Sequence, residues 1–422
     1  MGNTTARQRG RMLAVATAVV LASLLASCGL FAGPDNPPDP TAGAGGTGGA
    51  ADVARPPSGT STPTPTATPT PGKGPGCAAD RCTSVLVTGD MLVHPQLWRQ
   101  ASEDARTAGA AGLDFGPLLE GQRRYIEQSD VAICHLETPV AAPDGPFSGY
   151  PSFNVPPQII TAVRGVGYRA CTTASNHTVD RGTAGLIRTL DALDAAGLQH
   201  TGSYRTEAES QGILILQTAA AKIAVVDATY GLNGLRAEQP WQVDLLDPDA
   251  MISKARKARA LGADIVLGVM HAGQEYSNRP DAQQRDVAHA LVDSGQFSLV
   301  YGHHSHSVLP IEKYKGTWIV YGLGNGITEL SPSFVVNNEG LLVRVQFSQD
   351  AAGSWAASDL AWAPSVMVRG PYRWCSVAAD APQGRCAGTA ADAATRRRTT
   401  AVLESMGAAA AGAHELILTP GP

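Results

Sequence analysis

Apolar and polar positions along this chain alternate between two periods. Residues 83–88 (Thr-Ser-Val-Leu-Val-Thr), 130–134, 264–270 and 296–301 are short apolar runs of strand length with no polar face. That pattern predicts strands buried on both sides, as in a parallel sheet covered by helices. Between them the period lengthens. Residues 180–196 place Leu186, Leu190 and Leu193 on one helical face, with Gly197 just past the end. Residues 95–108, 248–261 and 280–294 also predict helices, each with a proline at its start. Residues 212–216 and 222–227 predict a hairpin, and 308–314, 317–321 and 341–347 an antiparallel run. Helix and strand alternate early and strands cluster late. The pattern predicts an α/β core with a second, mixed or antiparallel sheet packed on it.

The ends of the chain read differently. Arg7, Arg9 and Arg11 precede an apolar stretch from Met12 to Ala26, too short for a membrane span and suited to a signal peptide. Leu25-Ala26-Ser27-Cys28 resembles a bacterial lipobox, which implies cleavage before Cys28 and its lipidation; an ordinary signal peptide with an incidental cysteine is the alternative. Residues 28–76 are rich in Pro, Thr, Gly and Ala and are expected to form a disordered tether, with a reach of about 40 Å or more. The folded domain is expected over residues 77–386, and residues 387–422 as a surface helix with a fraying tail. The protein is therefore expected outside the cytoplasm, lipid-anchored to the cell membrane.

Composition narrows the function. The 422 residues carry a net charge of −5 with 16% charged and 5% aromatic residues. Neither a basic excess nor a stacking surface is present, so nucleic acid is not an expected partner. Cys77 with Cys82, and Cys375 with Cys386, bracket short loops and are expected disulfides. Cys134 and Cys171 lie in apolar strands and read as small buried core residues.

The chemistry concentrates at strand ends, the edge where open α/β sheets keep their ligands. Asp90 follows Gly89 and reads as a ligand or a turn residue. His135 and Glu137, two apart in extended chain, share a side and could face one cation. Asn176 reads as a neutral metal ligand or a helix cap, and His177 beside it as a general acid. His271 leaves the most apolar strand and reads as a ligand or a core histidine. In Gly302-His303-His304-Ser305-His306 an extended backbone would put His304 and His306 on one face, each binding one metal of a pair. Imidazole, carboxylate and amide oxygens together suit a divalent ion.

Six motifs carry a resemblance. Thr88-Gly89-Asp90-Met91-Leu92, Leu136-Glu137-Thr138-Pro139, Ser175-Asn176-His177-Thr178-Val179-Asp180-Arg181-Gly182, His271-Ala272-Gly273-Gln274-Glu275-Tyr276, the 302–306 motif and Tyr321-Gly322-Leu323-Gly324-Asn325 together resemble the CapA (poly-γ-glutamate capsule synthesis) family, a branch of the calcineurin-like metallophosphatase superfamily. The resemblance covers about residues 83–330. It implies a four-layer α/β sandwich, two facing mixed sheets flanked by helices. It implies Asp90 and His306 as ligands of a first metal, Glu137 as a bridge, and Asn176, His271 and His304 as ligands of a second. His177 would protonate the leaving group, and Asp180 would orient His177 or cap its helix. His94, His135, His303 and Glu275 are further candidates. Leu92 stands where the superfamily has a histidine, Glu137 where it has an aspartate, and His135 where the family commonly has an asparagine. One or two divalent ions (Mn, Fe or Zn) are implied. The expected activity is metal-dependent hydrolysis of a phosphoester or anionic surface polymer, alongside capsule-synthesis membrane proteins. A non-catalytic polymer assembly or export factor is the alternative. A solute-binding lipoprotein, a third reading, leaves the histidines unexplained.

Overall fold

The computed structural model describes Cys77, Ala79 and residues 81–331, 333 and 335–418. The expected signal peptide, Cys28 and the tether up to residue 76 lie outside the described residues. Fifteen strands are assigned among the described residues. They are β1 Cys82–Met91, β2 Val131–Leu136, β3 Ala170–Thr172, β4 Gln199–Thr201, β5 Leu214–Gln217, β6 Lys222–Thr229, β7 Ile265–His271 and β8 Leu299–His303. Then follow β9 Ile311–Tyr314, β10 Thr317–Val320, β11 Asn325–Ile327, β12 Glu339–Gln349, β13 Trp355–Val368, β14 Arg373–Ser376 and β15 His414–Glu415.

They form two sheets. The first runs β14-β13-β12-β1-β2-β3-β4, with β11 beside β1 and β15 beside β13; the second runs β5-β6-β7-β8-β10-β9. The stretches β1-β2-β3-β4 and β6-β7-β8-β10 are parallel, and the outer strands β12, β13, β14, β5 and β9 are antiparallel. Both sheets are thus mixed, and the late strands divide between them: β9 and β10 join the second sheet, β12 the first.

The central strands alternate between two cores, the reason their sequences show no polar face. In β1, Val85 and Val87 meet Leu267, Val269 and Tyr301 of the other sheet. Leu86 turns the opposite way, toward Leu97, Ile160 and Leu190 of the helices Pro95–Thr107, Gln158–Val166 and Gly182–Ala195. The outer face of the second sheet is covered through Met251, Ala255, Val287 and Leu291 of helices Pro248–Ala260 and Ala282–Asp293. The result is the expected four layers. At about 25 cal/mol per Å² of apolar burial, these three cores dominate the stabilisation.

Two expectations are corrected. Cys134 and Cys171 are buried but joined in a disulfide, because β2 and β3 pair them in register with their Cα atoms 4.5 Å apart. The other two expected disulfides, Cys77–Cys82 and Cys375–Cys386, are present. The tail does not fray up to residue 418. After helix Thr389–Leu403 it returns as β15 along β13, and the Leu416 N–H donates to the Trp362 carbonyl (2.7 Å). Leu403 and Leu416 are buried, so apolar contacts hold the segment down.

Candidate metal centre

The parallel strands of both sheets end on one edge, and strand register alone assembles most of the site there. In the first sheet Asp90 pairs with His135 and Asn325, and His135 with Thr172. In the second, His271 pairs with His303. Gly89 and Gly302 permit this convergence. A Cβ on Gly89 would collide with the backbone of Gly324–Gly326, and one on Gly302 with the Tyr321 carbonyl. Pairing of β1 slips register between Val87 and Asp90 and again at Asp90/Met91, an irregularity of the kind that redirects a side chain.

Asp90 is the hub. Its Oδ1 lies 2.6 Å from His303 Nδ1; its Oδ2 accepts the His304 N–H (3.1 Å) and lies 3.3 Å from His306 Nδ1. Two donor groups share it. Asp90, His135 and His303 form one and Asp90, Glu137 and His306 the other, with ligand atoms within 4.8 Å of one another in each. His135 is also stacked on His303, ring centroids 4.1 Å apart. His135 and Glu137 therefore serve neighbouring groups rather than one common cation.

A chain of polar contacts runs sideways from the hub. Thr172 Oγ1 is 2.9 Å from His135 Nδ1, His135 Nε2 is 2.9 Å from His271 Nδ1, and His271 Nε2 is 2.8 Å from Asn176 Oδ1. His271 is thus no core histidine bound to backbone. Asn176 does not cap a helix, since the next begins at Gly182 with Arg181 before it. His304 packs its ring 4.8 Å from that of His271 and 4.5 Å from Tyr230. The 302–306 loop is not extended. His304 (φ 82°) and His306 (φ 49°) both take left-handed backbone, which sends His306 to the hub and His304 toward His271.

His177 stands beside the centre, at the cleft wall. Its Nδ1 is 2.8 Å from Asp180 Oδ2, which also accepts the Phe153 N–H (2.7 Å), so Asp180 orients the imidazole. Ser175 ties the loop together: its hydroxyl donates to the Glu137 carbonyl (2.6 Å) and accepts the His177 N–H (3.0 Å). His94 lies in neither donor group. It accepts the Glu329 N–H at Nδ1 (3.2 Å) and faces Phe153, so it does not fill the place taken by Leu92. Glu275 is exposed on the cleft rim, outside both groups.

Charge follows the contacts. Burial pushes the Asp90 carboxyl up, but hydrogen bonds from His303 and His306 outweigh it and hold Asp90 well below the carboxylate range. Burial raises Glu137 to about 7 against the pull of His306. Burial lowers His306, yet Glu137 and Asp90 carry it up to about 9. Burial and neighbouring imidazoles depress His135, His271 and His304, His304 to about 3. Neutral His135, His271 and His304 near ionised Asp90 are in the states that divalent metals require, whereas His306 would have to release its proton to a bound ion.

The residues fit a metal. Both carboxylate oxygens of Glu137 and Nδ1 of His304 are buried without a hydrogen-bond partner among the described residues, and the nearest cationic atom to Glu137, His306 Nε2, is 3.6 Å away. An unpartnered buried carboxylate is costly unless a cation meets it. Asp90, Glu137, His135, His303 and His306 would hold the ion or ions, with Asn176, His271 and His304 alongside. Sequence reading assigned no role to Asn325, whose Oδ1 lies 3.1 Å from His306 Nδ1, nor to Thr172 or Tyr230. The signal for Asn325 was its place in the 321–325 motif; Thr172 and Tyr230 gave none.

Fold and site define a four-layer sandwich with clustered carboxylates and imidazoles at its strand ends. The chain belongs to the bacterial capsule synthesis protein family PGA_cap, whose profile matches residues 84–329. It is 29% identical over 211 residues to the capsule biosynthesis protein CapA of Bacillus anthracis, covering 48% of this chain and 51% of that protein. It is 28% identical over 209 residues to the PGA biosynthesis protein CapA of Bacillus subtilis, covering 48% and 53%. The chain thus spans about half the length of these relatives. Among solved structures it is similar to a calcineurin-like phosphoesterase from Bacillus subtilis, with 15% identity, 77% of this chain and 98% of that one covered, and a TM-score of 0.44.

Proposed function

We propose that the protein is a lipid-anchored, extracytoplasmic, metal-dependent hydrolase acting on ester or polymer linkages during synthesis of a surface polymer. The observation that carries the reading is the pair of carboxylate–imidazole groups sharing Asp90 beside the His177–Asp180 pair. Divalent ions bound there would polarise the scissile group and activate water. The chain's own residues do the rest. Asp180 accepts the Nδ1 proton of His177, which leaves Nε2 to deliver a proton to the departing oxygen. Neutral His135 and His271 hold Asn176 in place through their shared contacts. Three disulfides among the described residues support an oxidising compartment outside the cytosol. Cys28 is the expected lipid acceptor. The family supports an anionic polymer context, with capsule-synthesis membrane proteins as the proposed partners.

A second reading, a non-catalytic assembly factor, is favoured by Leu92, which is buried where the superfamily resemblance implies a ligand. The full chain, supplied with Mn²⁺, separates the two. Turnover of bis(p-nitrophenyl) phosphate that falls about 10²–10⁴-fold in His177→Ala supports the hydrolase. Bound metal without turnover on this or on polymer supports the assembly factor. Membrane fractionation of wild type and Cys28→Ala tests the anchor: the variant should leave the membrane fraction.

A further inference from the structure

The cleft over the metal centre, about 560 Å³, has walls that do not suit a polyanion. None of its described lining residues is Lys or Arg. Beyond the imidazoles of His94, His177 and His306, its titratable lining groups are the phenols of Tyr150 and Tyr276, Asp180, whose side chain is buried against His177, and the exposed Glu275. Its mouth is aromatic and apolar instead. Tyr150 is 79% exposed, Tyr276 53% and Leu235 49%; these are three of the eight large apolar side chains left open among the described residues. Soluble proteins rarely gather such residues at one place without a ligand for them.

The collar is also built with care. Tyr276 adopts left-handed backbone (φ 63°), held by its N–H donating to the Ser305 carbonyl (2.7 Å), and its ring lies 6.1 Å from that of His306. For a β-carbon-bearing residue that conformation is strained and persists where the surroundings enforce it. Burial, Glu275 and the Tyr150 hydroxyl push the Tyr276 phenol up to about 12, so it stays a neutral donor. Asn233 adds an amide to the wall, in contact with Asn176. Flat rings to stack on, with a carboxylate and an amide to bind hydroxyls, recognise a sugar. The exposed Glu275 carboxylate on the rim, with no Lys or Arg among the described lining residues to offset it, disfavours a γ-glutamyl chain.

We propose that the cleft binds a neutral sugar residue, stacked on Tyr150 and Tyr276 and hydrogen-bonded by Glu275 and Asn233, next to the group that reaches the metal centre. The placement of that sugar rests on the hydrolase reading, but its binding does not.

The test is binding by saturation-transfer NMR on the full chain. The probes are neutral tetrasaccharides of glucose, galactose, mannose and N-acetylglucosamine, against tetra-γ-glutamate. At least one sugar should bind, and Tyr150→Ala and Tyr276→Ala should each weaken it about ten-fold with the melting temperature unchanged. Glu275→Lys should weaken the sugar and strengthen tetra-γ-glutamate. The proposal is overturned if no tetrasaccharide binds, if tetra-γ-glutamate outcompetes every sugar, or if the tyrosine variants bind like wild type. Sugar binding without turnover of any ester would remove the hydrolase reading and leave this site standing. Turnover of bis(p-nitrophenyl) phosphate without sugar binding would do the reverse.

Discussion

Asp90 and Asp227 are two buried carboxyl groups with opposite surroundings, and the contrast separates the working part of the site from its support. Asp90 meets two imidazoles and a backbone N–H, and is held ionised. Asp227, on β6 of the second sheet, accepts only the N–H groups of Thr173 (3.1 Å) and Ala174 (2.8 Å) at Oδ2, while Oδ1 has no partner among the described residues. Burial, against the pull of those two N–H groups, pushes the Asp227 carboxyl well above its usual value. Asp90 presents charge to a ligand. Asp227 pins the start of the loop that carries Asn176 and His177, reaching from one sheet to the other. Charge is held where metal would neutralise it, and the supporting carboxyl is pushed toward its protonated form.

The largest expected effect comes from Asp90→Ala. Both donor groups lose their common member, so bound metal should disappear from elemental analysis and hydrolysis should fall to background. His177→Ala, at the far end of the loop pinned by Asp227, should reduce turnover by about 10²–10⁴-fold while metal content stays. If metal is lost too, His177 belongs to the centre and the division between hub and wall fails. Thr172→Val removes the partner of His135 Nδ1 and should weaken metal affinity about 10–100-fold, measured by titration calorimetry.

Asp227 gives the most pointed effect. Asp227→Ala leaves two buried N–H groups without an acceptor and should cost about 1–3 kcal/mol for each in denaturant unfolding. Asp227→Asn keeps an acceptor and should be near wild type at neutral pH. The pH dependence has a definite sign. A carboxyl whose folded pKa is raised contributes fully below its unfolded value and loses that contribution as pH rises toward the folded one. Wild type should therefore lose stability relative to Asp227→Asn as pH climbs above the ordinary carboxylate range. Asp90, held low, works the other way in chelator: its contribution is lost as pH falls. Parallel melting curves of wild type and Asp227→Asn between pH 4 and 9 would refute the raised Asp227.

The strand ends were legible because their apolar runs stop abruptly at polar clusters, and register then brings Asp90, His135, His271 and His303 together. The assignment of individual histidines was not. Which way His304 and His306 point depends on two left-handed residues, and non-glycine residues do not announce that conformation. His135 and Glu137 could have faced one cation, whereas they fall in two different donor groups that share Asp90. Asp227 closes a predicted strand, where a lone acid reads as a turn residue. Cys134 and Cys171 stand on neighbouring strands far apart in sequence, so only the β2–β3 register shows the bond. The tail misled because its alanine-rich composition hides the few side chains, Leu403 and Leu416, that hold it to the sandwich.

Metal stoichiometry decides the central claim. Inductively coupled plasma mass spectrometry of the purified full chain at neutral pH should find one or two equivalents of Mn, Fe or Zn. Glu137→Gln should carry less, and Asp90→Ala almost none. Metal-free wild type after loading with those ions, or an Asp90→Ala variant that retains the wild-type content, would contradict the account.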